Sequence, residues 1–445
     1  MSKAALNPEI LTDSTDRTAQ GAARKYELGT QANRAWLHDE GYDLLCFGRG
    51  VATPMGGAGW LDDFGRIDPP QGVQTWITCR MTHVYSLGAM LGFPGAEKIV
   101  DNMLAGLKGH LHDDEHGGWY PSLTLRTRAD GTPYLDHEST KICYTHAFVM
   151  LAASSAYLLG RPGAKELLEQ AVETYDKYFW DDKAGMPVDT WNSEMTRLDG
   201  YRGINASMHS TEAFLAIADA TGEESFRERA GRIIRNMLSF SEKNGWRIPE
   251  HYDADWNPQL EFNADKKDDQ FKPYGATPGH GIEWSRLITQ WAISTYGWDP
   301  ATHTVAKEAQ SYVDAAQRLF ARAVADGWCA DGEPGLVYTT DWQGKPVVHD
   351  RMHWTIAEGI DASATLYRVT GRDFFRSWYA TFNRFVDEHL ADHVNGSWWH
   401  QMDAHNHVLR TVWPGKSDLY HAFQSTLIPY NDPALSIATA VAKSE

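Results

Sequence analysis

The chain of 445 residues carries 59 acidic against 41 basic side chains, and this charge of −18, with no Lys/Arg cluster, excludes a nucleic-acid footprint. Its longest apolar run, around residues 147–159, is broken by Ser and Tyr before a membrane span is complete. The length admits several domains or one large closed architecture, and 42% hydrophobic residues suffice for a large core.

In chain order, residues 1–24 are polar and mixed in charge, which predicts a flexible lead-in and not a secretory signal. A first helix is expected around residues 21–40. Cys46, Cys79, Cys143 and Cys329 lack CxxC spacing, which fits a reduced, cytoplasmic protein and gives no zinc pattern. The 18 Trp, 19 Tyr and 16 Phe can serve a core, and they can also stack on sugar rings.

The remainder repeats. Six segments begin with a histidine near the head of an apolar helical pattern, at His83, His146, His209, His280, His353 and His421. Successive histidines are 63, 63, 71, 73 and 68 residues apart. Five of these patterns run out at a glycine (Gly92, Gly160, Gly222, Gly297, Gly371), the usual residue just past a helix end. A second amphipathic pattern follows, as in residues 164–179, 224–240 and 373–390. A Trp/Gly segment then returns the chain through a short hairpin or long loop, as at Gly245-Trp-Arg-Ile-Pro-Glu250 and Gly327-Trp-Cys-Ala-Asp331. Such units cannot bury their apolar faces alone, whereas a closed ring buries all the first helices inside. The expected fold is all-α, an (α/α)6 barrel forming a single domain over residues 25–445, with short β-hairpins and long loops at the active-site end.

In such a ring the inner-helix N-termini share one end, and their first-turn residues converge on a cleft suited to a polar, partly anionic intermediate. His83, His146 and His353 read as side chains that hydrogen-bond the loops. His209, His280 and His421 have company that points to chemistry. His280 and Glu283 are three apart, on one helix face. Asn205 and His209 are four apart, and Lys416-Ser-Asp-Leu-Tyr-His421 gathers a cation, a carboxylate and an imidazole. Arg80, one turn before His83, stays charged at any working pH and can hold a sugar oxygen. The histidine-dense stretches 110–116 and 400–407 lack helical ligand spacing, so no metal site is expected. No GxSxG, HExxH, P-loop or dinucleotide fingerprint is present, so no cofactor is expected. Asp62-Asp63 and Asp113-Asp114 would be the carboxylate pairs of a glycosidase, but neither heads an inner helix.

The stretches Trp76-xxx-Arg80-Met-Thr-His, Lys141-xx-Tyr144-Thr-His, Asn205-Ala-xx-His209, Pro278-Gly-His280-xx-Glu283-Trp, Trp354-xxx-Glu358 and Tyr420-His421-xx-Gln424 together resemble the N-acylglucosamine 2-epimerase superfamily, most closely its aldose–ketose isomerase branch. The likeness covers nearly the whole chain from about residue 25. It implies an (α/α)6 barrel that acts on unphosphorylated sugars without metal or nucleotide. It places the acid/base pair at His280 and His421, with Glu283 orienting His280 and Arg80 stabilising charge on the sugar oxygens. The implied substrate-binding set is Trp76, Tyr144, Asn205, His209, Phe271, Trp354, Glu358 and Gln401. The implied reaction interconverts D-mannose and D-fructose, with D-lyxose and D-xylulose as a second pair, in a cytoplasmic monomer or homodimer whose partner is a monosaccharide, with no nucleic acid or membrane. The alternatives are a sugar 2-epimerase with the same two histidines, a sulfoquinovose isomerase, a glycoside hydrolase and a non-catalytic binding protein. Gln270, where a sulfonate-binding member would carry Arg, favours the neutral sugar.

Overall fold

A computed structural model of the protein describes residues 24–444. Its helices are α1 (Gln31–Gly48), α2 (Thr75–Met90), α3 (Ala96–Lys108), α4 (Cys143–Leu158), α5 (Ala164–Tyr178), α6 (Ile204–Thr221), α7 (Glu224–Lys243), α8 (Pro278–Tyr296), α9 (Lys307–Gly327), α10 (His353–Thr370), α11 (Asp373–Phe385), α12 (Tyr420–Leu427) and α13 (Ile437–Ala442). The even-numbered helices from α2 to α12 form a closed inner ring, each packed on the next, with α12 returning to α2. The odd-numbered helices from α1 to α11 pack outside them, α1 against α12. This is the (α/α)6 barrel expected from the repeat.

The two layers differ as their burial demands. Helix α8 is buried at every position from Pro278 to Ile293. Helix α5 buries Ala164, Leu167, Leu168, Ala171 and Tyr175, a single face at helical spacing, and leaves the rest to solvent. Turns reverse each pair tightly: Gly222 and Gly371 have φ of 78° and 65°, and their N–H groups return to the carbonyls of Ala218 and Tyr367.

Short strands set the common end of the inner ring. Val73–Gln74 pairs with Ser122–Thr127, Thr140–Ile142 with Thr190–Asn192, Arg202–Gly203 with His251–Tyr252, and Arg351–Met352 with Gln401–Met402. Ala276 makes the corresponding bridge to Thr340 ahead of α8. Each pairing joins the residues just before an inner helix to a later return loop, which holds the helix N-termini together.

Two expectations are corrected in detail, and a third lies almost wholly outside the described residues. The first outer helix runs over 31–48 and not 21–40, because Gly29 turns the chain at φ 90° and the Thr30 side chain caps the helix by accepting from the Asn33 N–H. Of the expected lead-in, residues 1–23 lie outside the described residues, and Arg24–Tyr26 forms a 3₁₀ turn whose Lys25 and Tyr26 bond Asp387. The six histidines do not sit at equivalent depths. His353, His421, His280 and His146 are the first to fourth residues of their helices, whereas His209 is the sixth and His83 the ninth. Helices α2 and α6 begin early because their preceding strands end at Gln74 and Gly203.

Candidate active site

A cavity of about 380 Å³ opens at the N-terminal end of the inner ring, a size suited to a small ligand. His280 from α8 and His421 from α12 line it, and the Trp354 ring of α10 lies 5.1 Å from the first imidazole and 5.9 Å from the second. Each imidazole is held from behind by a buried carboxylate. His280 Nδ1 donates to Glu250 Oε2 at 2.9 Å, and His421 Nδ1 donates to Glu358 Oε1 at 3.0 Å. A carboxylate only accepts, so the proton sits on Nδ1 and the Nε2 lone pair is left for the cavity. Two bases held in this way can each take up and return a proton.

The opposite wall is built from donors. Arg80 is 2% exposed, its Nη1 donates to Asp418 Oδ2 at 2.6 Å and its Nη2 to the Tyr144 hydroxyl at 3.0 Å. Burial would discourage the charge, but Asp418, Tyr144, Tyr420 and Glu283 together outweigh it and keep the guanidinium protonated. Burial of Asp418 is likewise outweighed by Arg80, His421, His400 and the Tyr420 N–H together, so its carboxyl stays below the usual range. Burial pushes the Tyr144 phenol up to about 12, so it remains a donor. Phe271, Trp413 and Tyr338 come from loops and close the rim.

A third group lies on the floor. Burial pulls His209 down to about 4, so at neutral pH it is uncharged and donates Nδ1–H to Glu212 at 3.4 Å. Burial opposes ionisation of Glu212, yet the His209 hydrogen bond and the Arg286 charge hold its carboxyl at about 2. Glu283 behaves in the opposite way: burial, then repulsion from Glu358 and Glu212, drives its carboxyl well above the usual range. Its Oε1 is buried without a partner, and the upward shift favours the protonated form that can donate a hydrogen bond to a ligand. Among the described residues, His209, Glu212 and Glu283 have donor atoms close enough to share a metal ion, within 4.8 Å of one another. Tyr420 and Arg286 already engage Glu212 there.

A family model for N-acylglucosamine 2-epimerase matches residues 56–425, which take in α2 through α11 and the first part of α12. The chain belongs to the N-acylglucosamine 2-epimerase family. It is 41% identical to the D-mannose isomerase of Thermobifida fusca over 92% of this chain and 97% of that protein. Against the D-mannose isomerase of Pseudomonas cannabina pv. alisalensis it is 39% identical over 93% and 97%. A solved crystal structure of a D-mannose isomerase has a TM-score of 0.78, covering 89% of this chain and 97% of that one at 24% identity, which speaks for the fold.

Within this epimerase-family barrel, Arg80, Tyr144, Asn205, His209, Phe271, His280, Glu283, Trp354 and His421 all reach the one cavity. Three residues expected to touch the sugar stand back from it. Glu358 is fully buried behind His421. Gln401 is also fully buried: its amide donates to Asp350 and Thr411, while its carbonyl accepts the Val412 and Trp413 N–H groups, bracing the loop that carries Trp413. Trp76 lies 5.4 Å from Trp413 and 6.1 Å from Phe271, edge-on, and lines an adjoining cavity that shares Tyr144, Asn205 and Phe271 with this one. The expectation that Glu283 orients His280 is corrected. Glu250 makes that bond, and Glu283 instead points toward His209, 3.9 Å away. The nearest sequence signal for Glu250 is its place in a Trp/Gly return loop.

The other histidines are structural in their contacts. His146 donates to the Ile142 carbonyl and accepts the Trp119 N–H. His353 donates to the His400 carbonyl, and His400 in turn donates Nδ1–H to the Gly415 carbonyl and accepts the Asp418 N–H at Nε2. Lys416 pairs with Asp392, Asp113 with Lys141 and Asp63 with Arg410, so none of these contributes to the cavity.

Proposed function

We propose that the protein is an aldose–ketose isomerase that interconverts D-mannose and D-fructose. The observation that carries this reading is the pair of imidazoles, each fixed at Nδ1 by a buried carboxylate and each lining one cavity. The chemistry needs one proton moved from C2 to C1 and another from O2 to O1. His421 Nε2 removes the C2 proton while the C1 carbonyl oxygen gains one, giving a cis-enediol. The same imidazolium then returns its proton to C1 on the same face as O2 gives up its own. C1 is reduced and C2 oxidised within one molecule, so no external hydride acceptor enters the balance. His280 opens the pyranose ring and carries the O1/O2 proton. Arg80, Tyr144 and the neutral acid of Glu283 supply donors to oxygens on which charge develops. Trp354 and Phe271 offer faces to the sugar ring.

The near full-length likeness to two D-mannose isomerases supports the product assignment over 2-epimerisation. Gln270 brings an uncharged amide to the wall, and Arg80 is already paired, which supports a neutral sugar over a sulfonated one. Among the described residues lining the cavity, Glu283 is the single carboxylate, whereas glycoside hydrolysis calls for two. We place the enzyme in the cytoplasm, a reading supported by its four free cysteines and by the lack, among the described helices, of any long and apolar enough to cross a membrane. We also propose that catalysis needs no metal, so that activity survives exhaustive dialysis against EDTA. Incubation with D-mannose in D₂O tests the main reading. The expected product is D-fructose carrying deuterium at C1 to the extent that the transferred proton exchanges, and D-glucose formed without D-fructose would overturn it.

A further inference from the structure

Two of the carboxylates beneath the cavity meet at one guanidinium. Arg286 lies on α8, three residues beyond Glu283, and is 5% exposed. Its Nε donates to Glu358 Oε2 at 3.0 Å, and the other oxygen of Glu358 receives His421 Nδ1. Its Nη2 makes no hydrogen bond among the described residues and lies 3.8 Å from Glu212 Oε1 as a charge contact, while the other oxygen of Glu212 receives His209 Nδ1. Tyr420 completes Glu212 with a hydrogen bond of 2.5 Å to Oε1. Arg286 does not line the sugar cavity. It faces a second cavity at the closed end of the ring, together with His83, Gln290 and Gln424.

We propose that Arg286 is a positioning residue that aims His421 and His209 together, through Glu358 on one side and Glu212 on the other. The inference rests on the isomerase reading above for the role of His421. A guanidinium suits this task because its planar fork presents donors in two directions, whereas a lysine ammonium is a single point. The groups facing it are Glu358 and Asp361 from α10, Glu212 from α6 and Glu283 from its own helix. From α2 and α12 the floor is bounded by Arg80, which is spent on Asp418, by His83 and by Tyr420. Without Arg286, Glu212 and Glu358 would lose the cation between them.

The test compares Arg286→Gln and Arg286→Lys with the unaltered enzyme, in D-mannose kinetics from pH 5 to 9, in thermal melts and in ¹⁵N spectra of the imidazoles. Arg286→Gln is expected to lower kcat by about 10²-fold while KM changes less than about threefold, at the upper end for loss of an outer partner. Its acid limb moves to higher pH, because the Glu358–His421 pair, freed of a neighbouring positive charge, takes up a proton more readily. Arg286→Lys keeps the charge, so its limb stays in place, and kcat falls to an intermediate value because one carboxylate is lost. Both histidines should lose their Nδ1–H signature together in Arg286→Gln. A variant with reduced melting temperature but unchanged kcat, pH limb and imidazole spectra would overturn the proposal. If Arg286→Gln does not fold, Arg286→Lys decides by the same readouts, with wild-type kcat counting against. If the unaltered enzyme turns over no aldose, the isomerase reading fails, and the imidazole spectra still judge Arg286.

Discussion

The barrel has two ends, and each has a cavity with a histidine from the same sixfold repeat. At the open end His280 and His421 sit in the first turn, with Nδ1 on a carboxylate and Nε2 free for the cavity. At the closed end His83 sits nine residues into its helix, with Nδ1 2.7 Å from the Ser155 hydroxyl and Nε2 buried without a partner. His83 faces the second cavity, its ring 5.6 Å from that of Tyr420, the residue before His421. Burial pulls His83 down to about 4 and leaves it uncharged at neutral pH. A repeated residue type therefore says little about chemistry. What matters is its depth along the inner helix and whether an acceptor from another helix stands behind it.

Exchanging the imidazoles at the open end is the strongest way to break this contrast. His280→Ala and His421→Ala are each expected to lower kcat by about 10³-fold, within the range for a general acid or base, with secondary structure unchanged by circular dichroism. Removing the acceptors is the next step down. Glu250→Gln and Glu358→Gln keep the shape but lose the charge that orients each ring, and kcat/KM should fall by about 10- to 100-fold. A retained rate in Glu250→Gln would mean that His280 needs no orienting carboxylate. Gln401→Ala loosens the loop that carries Trp413, so KM should rise a few-fold while kcat changes by less than about threefold, measured by steady-state kinetics.

His83→Gln should have the smallest catalytic effect, leaving kcat within about twofold, and its signature is in stability. His83 binds its proton at about 4 in the folded chain and near its ordinary 6.5 when unfolded. Folding therefore loses no stability to this group above pH 6.5, and the penalty grows as the pH falls toward 4. Thermal melts across that window should show a shallower fall in melting temperature for His83→Gln than for the unaltered protein. An equal slope would place the acid sensitivity elsewhere, with His146, His209, His251, His353 and His400 as the other buried, depressed imidazoles among the described residues.

Much of the fold was legible because its determinants are local. Apolar spacing marks the helices, Gly222 and Gly371 need a left-handed turn, and a regular histidine interval reveals the repeat. The helix starts were less legible. Whether α2 begins at Thr75 or nearer His83 depends on where the strand Val73–Gln74 stops pairing with Ser122–Thr127, some 50 residues away. The resemblance brought His280, His421, Arg80 and their neighbours to attention as one set, and the folded ring places most of them at one cavity.

Taken alone, the sequence determined the ring and the two-layer packing. Each follows from periodicity within a few turns of chain. Only the tertiary structure decided the pairings: Glu250 and not Glu283 behind His280, Glu358 behind His421 and out of the cavity, Gln401 behind Trp413, and Arg286 between Glu358 and Glu212. Helical spacing tells which side chains share a face of one helix. A hydrogen bond between neighbouring helices depends on axial stagger and rotation, and those are set by packing around the whole closed ring.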